Sequence, residues 1–432
     1  MIKICITVGL ICIGFFHVEG QELRWVNSCK HADDAETKGV VMDHSGNIYS
    51  TGYFQDTLVV GPDTIVSHGN NDIFLFAHDS LGNELWHTTF GGKLNDQANA
   101  IAIDPAGNIW ITGGVNDSIF VEDTLFTTGT TSQTLFFARY SKSGQYISMN
   151  LIPGAIYSQA QDIEIDSDFT AILTGQFYGT ISKDNVTLSN PTGKTFYILK
   201  VDVTGTILWG RMCTGNANNG SDISIGPDAY YVTGSYNDGA QFGIQVLHAY
   251  GNNHNLFVAK YSKAGSLQWI QTQTGPAEVH GLKVSTNNND RILVAGEFAS
   301  KIDDLEYESK GSLDMVLLCY DPNGGLQWSK PIGGINADKT NGIATDGEDF
   351  YLTGMFSDSV LFSDTTIVAG GINATFIMKL DQFGNRHWFR QLAGTANNGA
   401  EIAQEDVYVW LVKAIDCYGE KWRRTGHVAL IR

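Results

Sequence analysis

The chain predicts an all-β protein: a β-propeller of about seven blades, with six full repeats of about sixty residues and a truncated seventh, or six blades as the alternative. Three observations lead there. A Thr-Gly pair recurs at Thr51-Gly52, Thr112-Gly113, Thr174-Gly175, Thr233-Gly234, Ala295-Gly296 and Thr353-Gly354, at spacings of 61, 62, 59, 62 and 58 residues. An apolar strand closed by an Asp-x-x-Gly or Ser-x-x-Gly turn returns in step with it, from IFLFAHDSLG at Ile73 to FIMKLDQFG at Phe376. A large aromatic then follows the turn glycine: Trp86, Tyr146, Trp209, Trp269, Trp328 and Trp388.

Within one unit the strands follow in order. In the second they read AIAID, NIWITGG, TLFFARY and a strand around Tyr146. Each alternates with period two and is rich in Ile, Val, Phe, Tyr and Thr, which is β patterning, and no window sustains a 3.6 period. Between the second and third strands lies a short apolar pair, SIFVEDTLFTTG here, expected as a small extra hairpin or an extended strand-to-strand loop. The first turn carries Asp43, Asp104, Asp166 or Asp346, whose carboxylate suits a type I turn by bonding its own backbone. With 48 glycines against 8 prolines, the chain turns on glycine freedom. A lone twisted four-stranded sheet leaves both faces wet, whereas radial stacking buries them and leaves only short edges.

First strands start near Val40, Ala100, Asp162, Asp222, Gly281, Gly342 and Ala400. The seventh unit is defective. Asp406 to Val409 begins a second strand, Trp410 stands where Thr-Gly belongs, and Leu411 to Asp416 imitates a third strand before Gly419 and Trp422. At the other end Leu23 to Val26, around Trp25, matches the last strand of a unit without one of its own. This strand is expected to pair with Ala400 to Trp422 and close the ring. The expected division is a leader at 1–20, the propeller at 21–422, and an unassigned tail at 423–432.

The leader has Lys3, an apolar run from Ile4 to Phe16, and Val18-Glu19-Gly20 as its cleavage site. That run is shorter than the ~20 residues that span a bilayer, and no later segment is a transmembrane candidate. The reading is a secreted or cell-surface protein, with the periplasm as a further compartment. A net charge of −19 excludes the basic footprint of a nucleic-acid binder. Cys29 and Cys213 each follow a tryptophan by four residues and so occupy equivalent places in different units, beyond the ~7 Å reach of a disulfide. Buried free thiols are expected.

Catalytic motifs are missing. Gly193-Lys194-Thr195 ends like a phosphate loop, but Leu188 stands where its first glycine belongs. Arg139, Lys200, Lys260 and Lys379 form a basic ladder before the third-strand turn, read as neutralised by neighbouring acids. The tryptophans are read as packing between blades, mostly buried. His248, His254 and His280 lack metal-ligand spacing. No catalytic, cofactor or metal residue is assigned, and a monomer is expected. The Asn/Gly-rich loops entering the first strands are the candidate ligand face, because variable polar loops on a rigid scaffold are where sites are built. Their residues are Asn95, Asp96, Asn218, Asn219, Asn336, Asp338, Asn397 and Asn398.

The segments GNIYSTGYF, GNIWITGG and DFYLTGMF, with NDIFLFAHDSLGNELW, resemble the SBBP-type β-propeller repeat of exported bacterial proteins common in Bacteroidetes-like genomes. The resemblance covers Gln21 to Asp416 and implies an extracellular or surface propeller. Relatives often end in a type IX secretion sorting domain, which the final KWRRTGHVALIR does not match. The leading functional expectation is a non-catalytic scaffold that binds an extracellular glycan or surface protein through one loop face. The alternatives are a polysaccharide hydrolase or lyase using two carboxylates among Asp96, Glu278 and Asp338, and a purely structural or degenerate repeat protein.

Overall fold

Alternating strands joined by short turns pair with their sequence neighbours, and the structure shows that meander repeated around a ring. It is a computed structural model that describes residues 30–31, 34–215, 218–250, 253–362, 365–394, 407–415 and 421–429. Six antiparallel four-stranded blades follow one another. Blade two, for example, comprises Gln97–Ile103, Ile109–Asn116, Gln133–Tyr140 and Tyr146–Ile152, from the axis outward. The extra hairpin is a separate ribbon in blades two, four and five. In blades one, three and six it is a direct extension of the second and third strands, as in Ala171–Lys183 with Val186–Val201. The only helical element among the described residues is the 3₁₀ turn Asp303–Leu305. No helix there is long and apolar enough to cross a membrane.

The Thr-Gly pair has a specific cause. Each innermost strand carries a β-bulge opposite it, between Thr37 and Gly39, Ala98 and Ala100, Ala160 and Asp162, Gly220 and Asp222, Gly281 and Lys283, and Thr340 and Gly342. The bulge pushes a backbone carbonyl onto the second strand. A Cβ on Gly52, Gly113, Gly175 or Gly234 would overlap the carbonyl oxygen of Glu36, Gln97, Gln159 or Asn219. Only hydrogen fits there. The preceding threonine is buried and donates its hydroxyl to a third-strand carbonyl: Thr51 to Phe74 at 2.7 Å, Thr112 to Phe136 at 2.6 Å, Thr174 to Tyr197 at 2.9 Å, Thr233 to Phe257 at 2.8 Å. Ala295 fills the fifth place without a hydroxyl.

Blades lock to one another in two further ways. Each indole of Trp86, Trp209, Trp269 and Trp328 lies beneath the last turn of the next blade. Each donates its N–H to a turn carbonyl there, of Lys142, Lys263, Pro322 and Gln382, at 2.9 to 3.2 Å. The turn glycines Gly144, Gly265, Gly324 and Gly384 have φ near +80° and present only hydrogen to the ring. The tryptophans are thus inter-blade residues at matching, mostly buried places, as expected, with part of each ring left uncovered by the turn. At the rim, the hairpins of blades two, four and six reach back to the preceding blade's outer strand: Gly91 bridges Phe120, Cys213 pairs with Phe242, and Ile332 with Phe362. Apolar cores accordingly lie between blades. Trp110, Leu135 and Phe137 of blade two pack with Ile163, Leu173 and Tyr197 of blade three. Cys213 and Cys319 are free and buried, as expected; Cys29 and Cys417 lie outside the described residues.

The seventh position is filled from the C-terminal end of the chain. The innermost strands touch in sequence around the axis, and Lys421–Ala429 stands between those of blades six and one. It pairs with Val407–Ile415. Two corrections follow. The tail at 423–432 fits no repeat in the sequence, yet most of it belongs to this innermost strand. Val407 to Ile415 is one strand, and Trp410 does not divide it. The closing strand Leu23 to Val26 and the first strand at Ala400 lie outside the described residues. Lys30–His31 nevertheless pairs with Val59 and Leu58 of blade one's hairpin, the place that Cys213–Thr214 occupies against blade four. Relative to blade one's hairpin, these two residues stand where the end of a preceding blade's outer strand stands elsewhere in the ring.

Replacing Gly175 with Ala should cost about 2–3 kcal/mol, as overpacking of a closed core does. Gly107→Ala, in an open turn with φ of +87°, should cost about 1 kcal/mol. Urea unfolding of both variants checks the difference. Trp209→Phe keeps most of the packing but loses the indole N–H, an expected loss of about 1 kcal/mol. An unchanged midpoint would show that the bond to Lys263 contributes nothing.

Candidate functional site

Every blade presents the same two ends. One carries the turns after the first and third strands, and there the acids serve the turns. Asp104 Oδ1 accepts the amides of Ala106 and Asn108, both at 2.9 Å, and its Oδ2 accepts the Asn108 side chain and the Trp110 indole. Burial opposes its ionisation, but these bonds outweigh it and hold the carboxyl below its usual range. The basic ladder is spent on the same end. Arg139 lies 3.6 Å from Asp104 and stacks on Trp110, Lys200 meets Asp168 at 3.0 Å, and Lys379 meets Asp346 and Asp349. Lys260 donates to the Pro322 carbonyl. Neutralisation by neighbouring acids, as expected, is the role of Arg139, Lys200 and Lys379, while Lys260 is held by a carbonyl instead.

The other end gathers the entries to the first and third strands, and the candidate loops lie here. Asn95 and Asn336 are exposed at their tips. Asp96 and Asp338 are buried organisers of the loops. Asp96 accepts the amides of Gly92 at 2.7 Å and Asn116 at 2.9 Å; Asp338 accepts those of Gly334 at 2.7 Å and Ser357 at 3.2 Å. Burial pushes both carboxyls up to about 7. Asn218 does the same work in blade four, its Oδ1 accepting the Asn237 amide at 2.8 Å, and Asn219 Oδ1 accepts that of Ser235 at 3.2 Å. Asn397 and Asn398 lie outside the described residues.

One groove on this end brings chemistry together. It spans blades three, four and five, has a volume of about 520 Å³, and is lined by Gln176, Thr192, Gly193, Lys194, Asn219, His254 and His280. The extended hairpin of blade three carries Lys194 out of the core, and its ammonium rests 3.9 Å from the centre of the Tyr157 ring. Tyr157 is oriented by donating to Gln159 Oε1 at 2.8 Å. Opposite stand His254, at the entry to blade four's third strand, and His280, in blade five's first strand. Between them is Glu278, whose Oε2 lies 2.9 Å from His254 Nδ1 and 3.3 Å from His280 Nε2. Ser235 Oγ holds His280 Nδ1 at 2.9 Å. Burial pushes the His280 pKa down against the pull of Glu278, which favours a neutral ring.

Of the three histidines His248, His254 and His280, the last two meet, while His248 stands apart, exposed beside Asp238. Of the three loop acids, Asp96, Glu278 and Asp338 enter blades two, five and six, so they form no convergent pair. The missed combination had a local signal. Glu278-Val279-His280 places an acid and an imidazole two apart at a strand entry, hence on one face. What could not be read is that His254, twenty-four residues earlier, comes beside them from the preceding blade.

No known family model matches the chain. An uncharacterised WD repeat-containing protein of Acanthamoeba polyphaga mimivirus is 22% identical over 425 residues, covering 77% of this chain and 30% of its own length. The match thus spans less than a third of that relative. Among solved structures, an apocarotenoid oxygenase from Synechocystis has a TM-score of 0.39 at 10% identity, covering 94% of this chain and 92% of its own. A gluconolactonase from Xanthomonas campestris has 0.33 at 11%, covering 77% and 96%. A protein of unknown function from Bacteroides caccae has 0.33 at 9%, covering 74% and 90%. Likenesses of this size say nothing about chemistry.

The two buried loop acids set a pH dependence. Each has its carboxyl near 7 in the folded ring against about 4 in the unfolded chain. Their contribution is therefore full below about pH 4 and lost as pH rises through about 7. The melting temperature should fall between about pH 5 and about pH 8. The fall should be smaller in the double variant Asp96→Asn, Asp338→Asn; an identical slope would mean that neither carboxyl titrates in that range.

Proposed function

We propose that the chain is an exported, non-catalytic propeller of the SBBP type that binds an acidic glycan through the groove at Lys194. The observation that supports this most is the groove's composition. On a protein of net charge −19, an exposed lysine braced by a tyrosine ring faces a polar hollow with amide and hydroxyl groups from Gln176, Thr192 and Asn219. Such groups suit sugar hydroxyls, and the ammonium suits a uronate or sulfate. A hydrolytic reading lacks support, because two carboxyls flanking one bond stand within about 10 Å of each other and water-accessible. Asp96 and Asp338 are buried, bonded to backbone, and in separate blades.

In this reading residues 1–20 direct export, the mature chain is a monomer at the cell surface or beyond it, and the ring holds the loops rigid. The mimivirus relative is itself uncharacterised and supports the repeat architecture alone.

A polysaccharide array that includes uronate-containing and sulfated chains tests this. Binding to acidic members is expected, weakened about tenfold or more by Lys194→Ala, since a hydrogen bond to a charged group contributes about 1.5–3 kcal/mol. Absence of binding to any glycan at millimolar concentration would end the proposal.

A further inference from the structure

Glu278 occupies an unusual position: one carboxylate oxygen, Oε2, faces a nitrogen of each of two imidazoles. His254 Nδ1 is 2.9 Å away and His280 Nε2 3.3 Å away, and the ligand-type atoms of all three residues lie within 4.8 Å of one another. We propose that His254, Glu278 and His280 form a binding site for a divalent transition-metal ion, zinc being the ion the donor set fits best.

The geometry is close to what a metal requires. Ligands at about 2.0–2.2 Å from a tetrahedral zinc stand roughly 3.3–3.5 Å apart, so Glu278 Oε2 needs to move from each imidazole by only a few tenths of an ångström, while the two imidazole nitrogens, within 4.8 Å of each other, turn toward the ion. The two rings are tilted by 38° with centres 5.3 Å apart, which lets both nitrogens converge without the rings stacking. Supporting bonds are in place. With Ser235 Oγ accepting from His280 Nδ1, the lone pair lies on Nε2, the nitrogen that faces Glu278. The loops that carry the ligands are tied across two blades, the Val279 amide donating to the His254 carbonyl at 2.9 Å and the His254 amide to Glu278 Oε2 at 3.1 Å. Two imidazoles and one carboxylate leave a tetrahedral ion one open position. His254 and His280 both line the groove that Lys194 and Asn219 also line, so the ion would sit at its wall.

The competing arrangement is a hydrogen-bonded trio, with both imidazoles donating to Glu278 and the Ser235 hydroxyl donating to His280 Nδ1. It gives no reason for metal affinity, which makes the two readings separable. The inference stands apart from glycan binding, since a metal titration in the absence of any glycan decides it.

The test is calorimetric titration of the tag-free full chain, freed of metal with EDTA, with zinc chloride. One ion per chain with a dissociation constant in the micromolar range or below is expected. His254→Ala and Glu278→Gln should each weaken binding more than tenfold, and Ser235→Ala about 10–100-fold, as loss of a partner behind a ligand does. Cobalt should give the visible band of a four-coordinate ion, absent in His254→Ala. Melting in EDTA shows whether the variants keep the fold. Should Glu278→Gln unfold, His254→Ala decides, since His254 sits in a loop. No binding at millimolar zinc, or binding unaltered in His254→Ala, would overturn the proposal.

Discussion

Everything in this molecule depends on the face-to-face burial of one four-stranded sheet against the next. Both faces of a blade are apolar, and neither can be covered from within the blade. Trp110 and Phe137 are fully buried only because Ile163, Leu173 and Tyr197 of blade three lie against them. A seventh neighbour is therefore required wherever the chain runs out of full repeats. Phe54, Leu58, Val60, Phe74 and Phe76 form a cluster on blade one that no other full blade covers. The short pairs at 407–429 and 30–31 come to that side of the ring. A short strand pair in the place of a full blade is thus a consequence of packing, since an open ring would leave two apolar faces and their edges in water.

The axis imposes its own constraint. The innermost strands of the six full blades each carry a bulge that directs one carbonyl at the neighbouring strand. Glycine and threonine in the second strand then become necessary for different reasons: the first has no Cβ to collide, and the second closes a buried hydrogen bond. The same strands carry charge along the axis, where Lys283 pairs with Asp222 at 2.9 Å and Asp222 Oδ2 accepts the Val284 amide at 2.7 Å. These contacts step from one blade to the next and add directionality to a core that is otherwise apolar.

Rigidity at the axis and rim leaves one end of the ring free to vary. The turn end is occupied by self-bonded aspartates and paired cations, so it offers little to a ligand. At the opposite end the loops are anchored from beneath by Asp96, Asn218 and Asp338, which keeps their tips and the groove between blades three and five fixed in place. Lys194, Asn219, His254 and His280 come from three blades, and their mutual distances follow from the spacing of the ring.

The repeats by themselves determined the propeller, its turns and the equivalence of its tryptophans, because each of these repeats a local rule: alternation, a type I turn, a glycine at positive φ. The self-bonding of Asp104 and the neutralisation of Lys379 were legible for the same reason, their partners being near in sequence or in register. Burial of Asp96 and Asp338 was not legible, since an Asp in a polar loop looks alike whether it faces water or a pair of amides. Nor was the role of Lys421 to Ala429, which matches no repeat and is innermost because a place in the ring remained to be filled. The meeting of His254 with Glu278 and His280 is the clearest case. Two of the three are neighbours on one strand, and the third reaches them only because blade four is packed against blade five.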